Sequence, residues 1–279
     1  MPHLARIDIY PIKSLDGLTL PQATVLSSGA LQHDREFALF DEQGKFVNGK
    51  HNKKVHAIRS YFDIHTQALS LQIEAQKQVF YIHEEHLKLE TWFSDYFGFP
   101  VSLKQASQTG FPDDTYSLGP TVISTETLKE VNSWFPSLSL DEVRKRFRAN
   151  LEIDGVPAFW EDQLVAEEGQ VVPFQMGEVV FAGVNPCQRC PVPSRDSLTG
   201  EAYPDFQEIF VSKRKEKLPS WTLNARFNHF YKLGVNTRVL DKGSSSILNI
   251  GNQVKILEHP ANTVGKQIDL KTHSADETY

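Results

Sequence analysis

The fold is decided first by residues 5–12, which read ARIDIYPI. Apolar and polar side chains alternate along the first half of this stretch, with apolar residues at positions 5, 7 and 9. Because successive side chains of a strand point to opposite faces, a period of two predicts a half-buried β-strand. The Asp16-Gly17 pair just beyond it supplies a turn, so the chain begins as β structure.

The same pattern of short strands and turns continues along the chain. In the first third, further strands are predicted over residues 22–26, 36–40, 57–64 and 68–73. A hairpin turn is predicted at residues 41–44, which read DEQG. Strand patterns return at residues 147–153, 178–183, 236–240 and 246–257, with a turn at residues 243–245. Strands this short and this frequent predict a barrel or a sandwich.

Helical patterns are fewer than strand patterns. A helix is predicted over residues 84–98, because its apolar side chains have helical spacing and Gly98 favours a left-handed end. Ser124 is predicted to be the N-cap of a second helix over residues 125–135. A capping box, SLDE, predicts a short third helix within residues 139–146.

The chain is predicted to fold in two parts. The best linker lies within residues 106–116, which are polar and contain glycine and proline. The parts are then residues 1–110 and residues 111–260, followed by a polar C-terminal tail at 261–279. Residues 206–230 mix charged and aromatic side chains and are expected to form a loop or short helix over a site. The predicted fold class is mainly β with a few helices (α+β).

Composition excludes several classes of function. The chain has 279 residues, a formal net charge of −6, 40% hydrophobic and 23% charged residues, and a pI near 5.9. This acidic balance argues against general binding to nucleic acid or to an anionic membrane. No apolar run approaches the ~18 residues of a membrane span, and no signal-peptide core is present. Two cysteines in a chain of this length fit a reducing compartment, so a cytoplasmic protein is predicted. The basic run at residues 213–215 is interpreted as a solvated face.

Both cysteines lie in residues 185–191, NPCQRCP, which are followed by DSLTG at 196–200. A structural zinc site usually takes four ligands, and the chain has no second cysteine pair. A thioredoxin-like pair would begin a helix, whereas Pro191 and Pro193 follow here. A disulfide across so short a span constrains little of the unfolded chain. These three interpretations are disfavoured, and the main alternatives are two inert buried thiols or a soft thiolate that binds a metal or attacks an electrophile. Arg189, between the cysteines, would stabilise a thiolate or hold an anionic cofactor.

Other polar residues could join the cysteines in one site. Lys13 and Ser14 follow a predicted strand, and Arg35 precedes another. In the sequence RFRAN, Arg148 and Asn150 are predicted to point to one side of a strand. Charge-assisted donors and an amide are what a phosphate and a polar heterocycle require. A glycine-rich loop is not expected to bind the phosphate, because neither a Walker A nor a G-x-G-x-x-G pattern is present.

Taken together and in order, these motifs resemble those of the MOSC proteins, named for the C-terminal domain of molybdenum cofactor sulfurase. The chain is most similar to the two-part form with an N-terminal β-barrel domain, as in the mitochondrial amidoxime-reducing component and its bacterial relatives. The resemblance covers residues 3–258 and rests on YPIKS at 10–14, DREF at 34–37, RFRAN at 146–150 and CQRC at 187–190 with DSLTG at 196–200. It implies an N-terminal β-barrel-like domain at residues 1–110 and a MOSC β-barrel domain at residues 111–260.

The resemblance also implies a set of site residues. Cys190 matches the cysteine that ligates molybdenum directly, and it is therefore the expected metal ligand and catalytic residue. Seven further positions are expected to bind the cofactor, either at the pterin and its phosphate or beside the metal ligand. They are Lys13, Ser14, Arg35, Ser124, Arg148, Asn150 and Arg189. Of these, Ser124 is matched only at a helix start, where an anion is also favoured. No role is implied for Cys187.

The implied function is that of a molybdenum-cofactor (Mo-molybdopterin) oxidoreductase that reduces small N-hydroxylated or N-oxide compounds. The alternative is a molybdenum cofactor carrier or a sulfur carrier without catalytic turnover, and a relative that has lost the cofactor is a third reading. The chain is expected to lack a membrane anchor, an iron–sulfur domain and an aminotransferase domain. Electrons are then expected from a separate protein of the flavin reductase, ferredoxin or cytochrome type, with no nucleic-acid or membrane partner.

Overall fold

The computed structural model describes residues 1–240 and 245–258. About 33% of the described residues are in strands and 22% are in helices. The prediction of a mainly β fold with a few helices is thereby confirmed. The turn predicted at residues 243–245 and the polar tail at 261–279 fall wholly or largely outside the described residues. None of the described helices is both long and apolar enough to cross a membrane.

Strands dominate the described chain. They are β1 (His3–Ile9), β2 (Leu18–Leu20), β3 (Gln22–Val25), β4 (Phe37–Asp41), β5 (Arg59–Asp63), β6 (Ala68–Ile73), β7 (Gln76–Tyr81), β8 (Val101–Gln105), β9 (Val122–Ser124), β10 (Leu151–Asp154), β11 (Val172–Met176), β12 (Val179–Gln188), β13 (Lys232–Val239), β14 (Ser246–Asn249) and β15 (Val254–Ile256). The helices are α1 (His86–Phe97), α2 (Thr125–Ser133), α3 (Leu140–Phe147) and α4 (Phe206–Glu216). Short 3₁₀ turns lie between them, among them Lys53–Ala57 and Trp160–Leu164.

The largest sheet has eight strands in the order β15-β11-β12-β13-β9-β10-β1-β2. Its β9–β10 pair is parallel and its other pairs are antiparallel. Strand β1 therefore lies inside the sheet, where Leu4 pairs with Ile153 and Ile7 with Leu151. Both Leu4 and Ile7 are fully buried and belong to a first apolar core. The first strand of the chain thus belongs to a sheet made mostly by the second half, and the predicted boundary at residues 110/111 stays a prediction.

Smaller sheets complete the fold. Strand β3 pairs with β14, β4 pairs with β8, and β5, β6 and β7 form a three-stranded sheet. Helix α1 packs with the β4 and β5–β7 strands around a second apolar core that includes Phe37, Phe80 and Phe93. Helices α2, α3 and α4 enclose a third core that is rich in aromatic rings, with Phe135 and Phe206 stacked at 4.2 Å. These three cores fix the elements from which one large cavity is built.

The helix ends predicted from capping residues are confirmed. Gly98 ends α1 in the left-handed conformation, where a residue without Cβ is unstrained. The Ser124 Oγ accepts a hydrogen bond from the Thr127 N–H at 3.1 Å and so caps α2. The Ser139 Oγ accepts from the Glu142 N–H, also at 3.1 Å, at the start of α3. Each cap satisfies a backbone donor that the helix itself leaves unpaired.

The strand predicted over residues 147–153 begins too early. Helix α3 runs through Phe147, and Arg148 closes it in a left-handed conformation with φ 51°. The Arg148 N–H donates to the Arg144 carbonyl at 2.8 Å, which is the bond of a helix end. Only at Leu151 does β10 begin. The prediction that Arg148 and Asn150 share one face of a strand is therefore wrong, because both precede the strand.

The basic run at residues 213–215 lies on α4, which occupies the start of the region predicted as a loop or short helix. Its middle residue, Arg214, is fully buried, so the interpretation as a solvated face is wrong for that side chain. Its guanidinium lies 2.5 Å from the Asp162 carboxylate and packs over the Phe159 and Phe227 rings. The helix is thus anchored by a buried ion pair.

Candidate functional site

A cavity of about 860 Å³ opens where residues of the first 60 positions meet residues of the second half. Its lining includes thirteen lysines and arginines but only six aspartates, so its formal charge is +7 although the whole chain carries −6. Both cysteines and seven of the eight predicted site residues line it; they are Lys13, Ser14, Arg35, Arg148, Asn150, Arg189 and Cys190. Such a concentration of cationic side chains favours an anionic ligand.

Lys13 is largely buried beside a loop that covers the cavity. Its ammonium group donates to the Phe111 carbonyl at 2.8 Å and to the Asp113 carboxylate at 2.6 Å. Lys50 lies 3.2 Å from the other oxygen of Asp113. Burial lowers the pKa of Lys13, and Asp113 offsets part of that shift. Burial opposes the charge of Asp113 as well, yet the two ammonium groups hold the pKa of its carboxyl group well below its usual value. Three charged groups thus already form a network at this corner.

Tyr10 brings two arginines together. The guanidinium of Arg148 lies 4.0 Å from the centre of the Tyr10 ring, and that of Arg35 lies 4.9 Å from it. Arg35 is paired with the Asp34 carboxylate. Arg148 instead donates to the Leu15 carbonyl at 2.7 Å, and burial lowers its pKa. Among the side chains in residues 1–240 and 245–258, no carboxylate forms an ion pair with Arg148, so its charge is available to a ligand.

Asn150 and Arg189 are held by backbone groups. The Asn150 amide donates to the Asp8 carbonyl at 3.0 Å, and its carbonyl oxygen accepts from the Thr121 N–H at 3.1 Å. Arg189 donates to the Leu233 carbonyl at 2.6 and 3.0 Å and to the Phe147 carbonyl at 2.8 Å. Because these bonds use much of the capacity of both side chains, each fixes the cavity wall in place. Arg189 in this way ties the cysteine segment to α3 and β13.

The two thiols lie at the end of β12. Cys187 is the second-last residue of the strand, and Cys190 follows two positions after its last residue, Gln188. Both are free and partly buried. Burial raises the pKa of the Cys187 thiol, with Arg189 opposing that shift. No three His, Cys, Asp or Glu side chains converge as a metal site in the part of the chain that is described. A metal bound to Cys190 would therefore take further ligands from a cofactor.

Ser124 does not join the site. It is fully buried and is absent from the cavity lining, unlike the other predicted residues. Its hydroxyl caps α2 and shares a hydrogen bond of 2.7 Å with the Thr127 hydroxyl. The geometry gives no support to the prediction that Ser124 binds a cofactor, because its hydroxyl is engaged in the helix cap and does not line the cavity.

Several lining residues were not predicted from the sequence. The loop interpreted as a linker carries Asp113 and also Asp114, whose carboxylate accepts from Asn185 at 3.4 Å and from Asn236 at 3.3 Å. This loop therefore joins both walls of the cavity. The pair of adjacent aspartates after a proline was the available signal. His56, Arg59 and Arg195 also line the cavity, and nothing in their local sequence marks them.

Comparison with known protein families assigns most of the chain to two domain types. The family model described as the MOSC N-terminal beta barrel domain matches residues 1–91, and the model described as the MOSC domain matches residues 120–255. This chain is a MOSC-domain protein. The expected order of an N-terminal MOSC barrel domain followed by a MOSC domain is thereby confirmed.

The curated relatives of this MOSC protein include molybdenum cofactor sulfurases. That of Oryza sativa subsp. japonica is 25% identical over 264 residues, which cover 77% of this chain and 31% of the sulfurase. The sulfurase of Drosophila grimshawi is 26% identical over 73% of this chain and 29% of its own length. The sulfurase of Homo sapiens is 22% identical over 91% of this chain and 32% of its own length. The chain thus spans about a third of the length of these relatives. Among solved structures, YiiM from Geobacillus stearothermophilus matches with a TM-score of 0.32 and 12% identity, over 52% of this chain and 56% of that one.

The cavity of the MOSC protein fits the chemistry of a molybdenum cofactor. A phosphate-bearing pterin requires cationic donors, which Lys13, Arg35 and Arg148 provide. A thiophilic metal requires a soft ligand, which Cys190 provides. The buried Asn185 Oδ1 has no hydrogen-bond partner among the described residues and is a ready acceptor for a heterocyclic N–H. The donor set therefore fits this group.

Proposed function

We propose that the protein is a molybdenum-cofactor-dependent oxidoreductase that reduces N-hydroxylated or N-oxide compounds. The observation that supports it best is the joint presence, in one cavity, of the Cys190 thiol and a strongly cationic lining in an acidic protein. Kinship to proteins named molybdenum cofactor sulfurase agrees with a role in binding that cofactor. Two free thiols also suit the reducing conditions of the cytoplasm, which we propose as its location.

Cys190 would be the protein's ligand to molybdenum, and Lys13, Ser14, Arg35 and Arg148 would hold the pterin and its phosphate. When bound, the cofactor supplies the two-electron redox chemistry that removes an oxygen atom from nitrogen. Asn150 and Arg189 act as positioning residues, because their hydrogen bonds fix the walls on either side of the thiols. The Asp113–Asp114 loop holds the two walls together through its bonds to Lys13 and Asn185.

The overall reaction sets a requirement for partners. Reduction of R–NHOH to R–NH₂ breaks the N–O bond, consumes two electrons and two protons, and releases one water. No described group of this chain can supply electrons repeatedly. We therefore propose a separate electron-donor protein of the flavin reductase, ferredoxin or cytochrome type, and a small N-hydroxylated substrate.

A second candidate, a molybdenum cofactor or sulfur carrier, is favoured by one observation. The relatives that align with this chain are sulfurases, and they do so over about a third of their own length. A module of this kind would bind the cofactor, with sulfur on Cys190 or Cys187, and release it to an acceptor. A carrier would load with cofactor but would turn over no N-hydroxylated compound.

The test compares wild-type protein with Cys190→Ala and, as a matched control, Cys187→Ala. Each is produced in a host that makes the cofactor and is supplied with molybdate. Molybdenum is measured by elemental analysis, pterin by fluorescence after oxidation, and reduction of benzamidoxime with a chemical reductant. We expect wild type to hold near-stoichiometric metal, Cys190→Ala to lose most of the metal and all turnover, and Cys187→Ala to keep the metal.

The outcomes separate the two candidates. Cofactor without turnover in wild type favours the carrier. Neither metal nor pterin in wild type, or full activity in verified metal-free protein, contradicts the proposed reductase. Equal metal in wild type and Cys190→Ala contradicts the assignment of the ligand.

A further inference from the structure

A second group of basic side chains lines the cavity, apart from those assigned to the cofactor. His56 lies in the 3₁₀ turn Lys53–Ala57, Arg59 begins β5, and Arg195 follows the cysteine segment. Arg59 donates to the His56 carbonyl and, at 3.0 Å, to the Ser197 carbonyl. Arg195 donates to the Gly200 carbonyl at 3.3 Å. The His56 ring bonds to the Gly49 carbonyl at 3.2 Å, so backbone carbonyls hold all three side chains, and the Arg59–Ser197 bond joins the two halves of the chain.

The close packing of this cluster is visible at Gly200. A Cβ added there would lie 3.1 Å from Cδ2 of the His56 ring, and the glycine has φ 72°. A side chain at this position would therefore be strained and would press on the ring. Gly200 is the last residue of the DSLTG sequence, so the turn that follows the cysteines packs closely against the Lys53–Ala57 turn that carries His56.

One positive charge of this cluster has no counter-charge. Lys13, Lys50 and Arg35 each contact a carboxylate, and Arg59 pairs with Asp16 at 3.3 Å. Arg195, in contrast, has no ion-pair partner among the described residues. The Nε atom of Arg195 is buried without a hydrogen-bond partner there. Burial, and then the positive charges of Arg195, Arg148 and Arg59, lower the pKa of His56. A buried cationic donor without a partner is costly unless an anion completes it.

We propose that Arg195 and Arg59 form an anion subsite that binds a carboxylate or phosphate group of the substrate. The Nε–H edge of a guanidinium carries two parallel donors, the geometry that planar oxyanions favour, and on Arg195 the Nε–H has no partner among the described residues. The subsite restricts the substrate class to N-hydroxylated or N-oxide compounds that also carry an anionic group. This assignment rests on the proposed function; the existence of the anion site does not.

The existence of the site is tested by binding alone. Inorganic phosphate and benzoate are titrated calorimetrically into wild type, Arg195→Gln, Arg59→Gln and Lys129→Gln, the last removing an exposed charge outside the cavity. We expect each arginine variant to weaken binding about tenfold or more, as for the loss of a charge-assisted pair, with Lys129→Gln equal to wild type. Equal binding by wild type and both arginine variants overturns the site. Circular dichroism and the unfolding temperature show whether each variant is folded.

The source of the anion is tested on cofactor-loaded protein. Molybdenum and pterin contents are measured in Arg195→Gln, together with kcat/KM for 4-carboxybenzamidoxime and for benzamidoxime. We expect the cofactor to be retained and the ratio of kcat/KM, carboxylated over neutral, to fall about tenfold or more. Loss of pterin from Arg195→Gln assigns the anion to the cofactor's phosphate and overturns the substrate assignment. An unchanged ratio with cofactor retained overturns it too. Failure of the reductase itself would appear instead as an absence of turnover with normal phosphate binding.

Discussion

Glu161 is a carboxyl group that has no contact with water. It lies in the 3₁₀ turn Trp160–Leu164 and is 0% exposed. One of its oxygens accepts from the Thr127 hydroxyl at 3.0 Å, and the other has no hydrogen-bond partner among the described residues. Burial, reinforced by the neighbouring Asp162, raises the pKa of Glu161 to about 7. The residue is therefore about half protonated near pH 7 and largely protonated below it.

This shift makes the stability of the protein depend on pH. An acid whose pKa is higher in the folded state binds more protons there, so the free energy of unfolding falls as pH rises from the unfolded value of 4.5 to about 7. Below that window both states are protonated, and above it the loss is constant. The full shift corresponds to about 3 kcal/mol.

We expect Glu161→Gln, which cannot ionise, to be more stable than wild type at pH 8 by up to about 3 kcal/mol. At pH 4 the variant should gain nothing over wild type. The measurement is urea unfolding at intervals from pH 4 to pH 8, with Glu126→Gln as an exposed control on α2. If the free energies of unfolding of wild type and Glu161→Gln changed in parallel between pH 4 and pH 8, the raised pKa of Glu161 would be contradicted.

Helix α4 is an element whose place depends on one charged side chain. Arg214 pairs with Asp162, and Thr222 donates a further hydrogen bond to the same carboxylate at 2.9 Å. The rings of Phe159 and Phe227 lie against the guanidinium. Removing one partner of a buried ion pair leaves the other charge without compensation, which is more damaging than removing both.

We expect Arg214→Ala to lower the free energy of unfolding by about 3–5 kcal/mol, and Arg214→Met with Asp162→Asn to recover a large part of that loss. Lys213→Ala, on the exposed side of the same helix, is the matched control and should change stability by less than about 0.5 kcal/mol. Chemical denaturation of the full chain provides the values. A loss as small for Arg214→Ala as for Lys213→Ala would show that the pair does not anchor α4.

Elements with local signals could be predicted from the sequence, and elements without them could not. Ser124, Ser139 and Gly98 mark helix ends because capping uses only nearby backbone groups. The alternation around Arg148 imitates a strand, although the residue closes a helix. Helix α4 was hidden because its buried face contains Arg214, which a hydrophobic pattern assigns to solvent.

At the scale of the whole molecule, the two MOSC-related segments share one sheet. Strand β1 lies between β10 and β2, and β3 pairs with β14 near the end of the described chain. The long-range pairing that places β1 could not be predicted, because alternation shows that a strand exists but not which strand accepts it. The site shows the same division. Lys13, Arg35 and Cys190 are recognised by motif, whereas Arg195 and Arg59 reach the cavity through tertiary structure alone.

We expect residues 111–260 expressed alone not to unfold cooperatively. Without β1 the sheet loses the fully buried Leu4, Ile7 and Ile9 and leaves β10 with an open edge. Co-expression with residues 1–110 should restore a soluble complex, with the full chain as the reference. Thermal unfolding followed by calorimetry is the measurement. A sharp, reversible transition in the isolated fragment would show that the division at 110/111 separates independent folding units.

The place of β1 in the sheet has a consequence during protein synthesis. Ile7 pairs with Leu151, which the ribosome adds about 140 residues later, and β3 waits longer still for β14. At typical elongation rates the nascent chain presents β1 without β10, with only β2 available beside it, for on the order of ten seconds. The first strands to be made are thus among the last to receive all their partners. A ribosome that stalls before Leu151 would release a chain whose N-terminal strand is exposed and prone to aggregation.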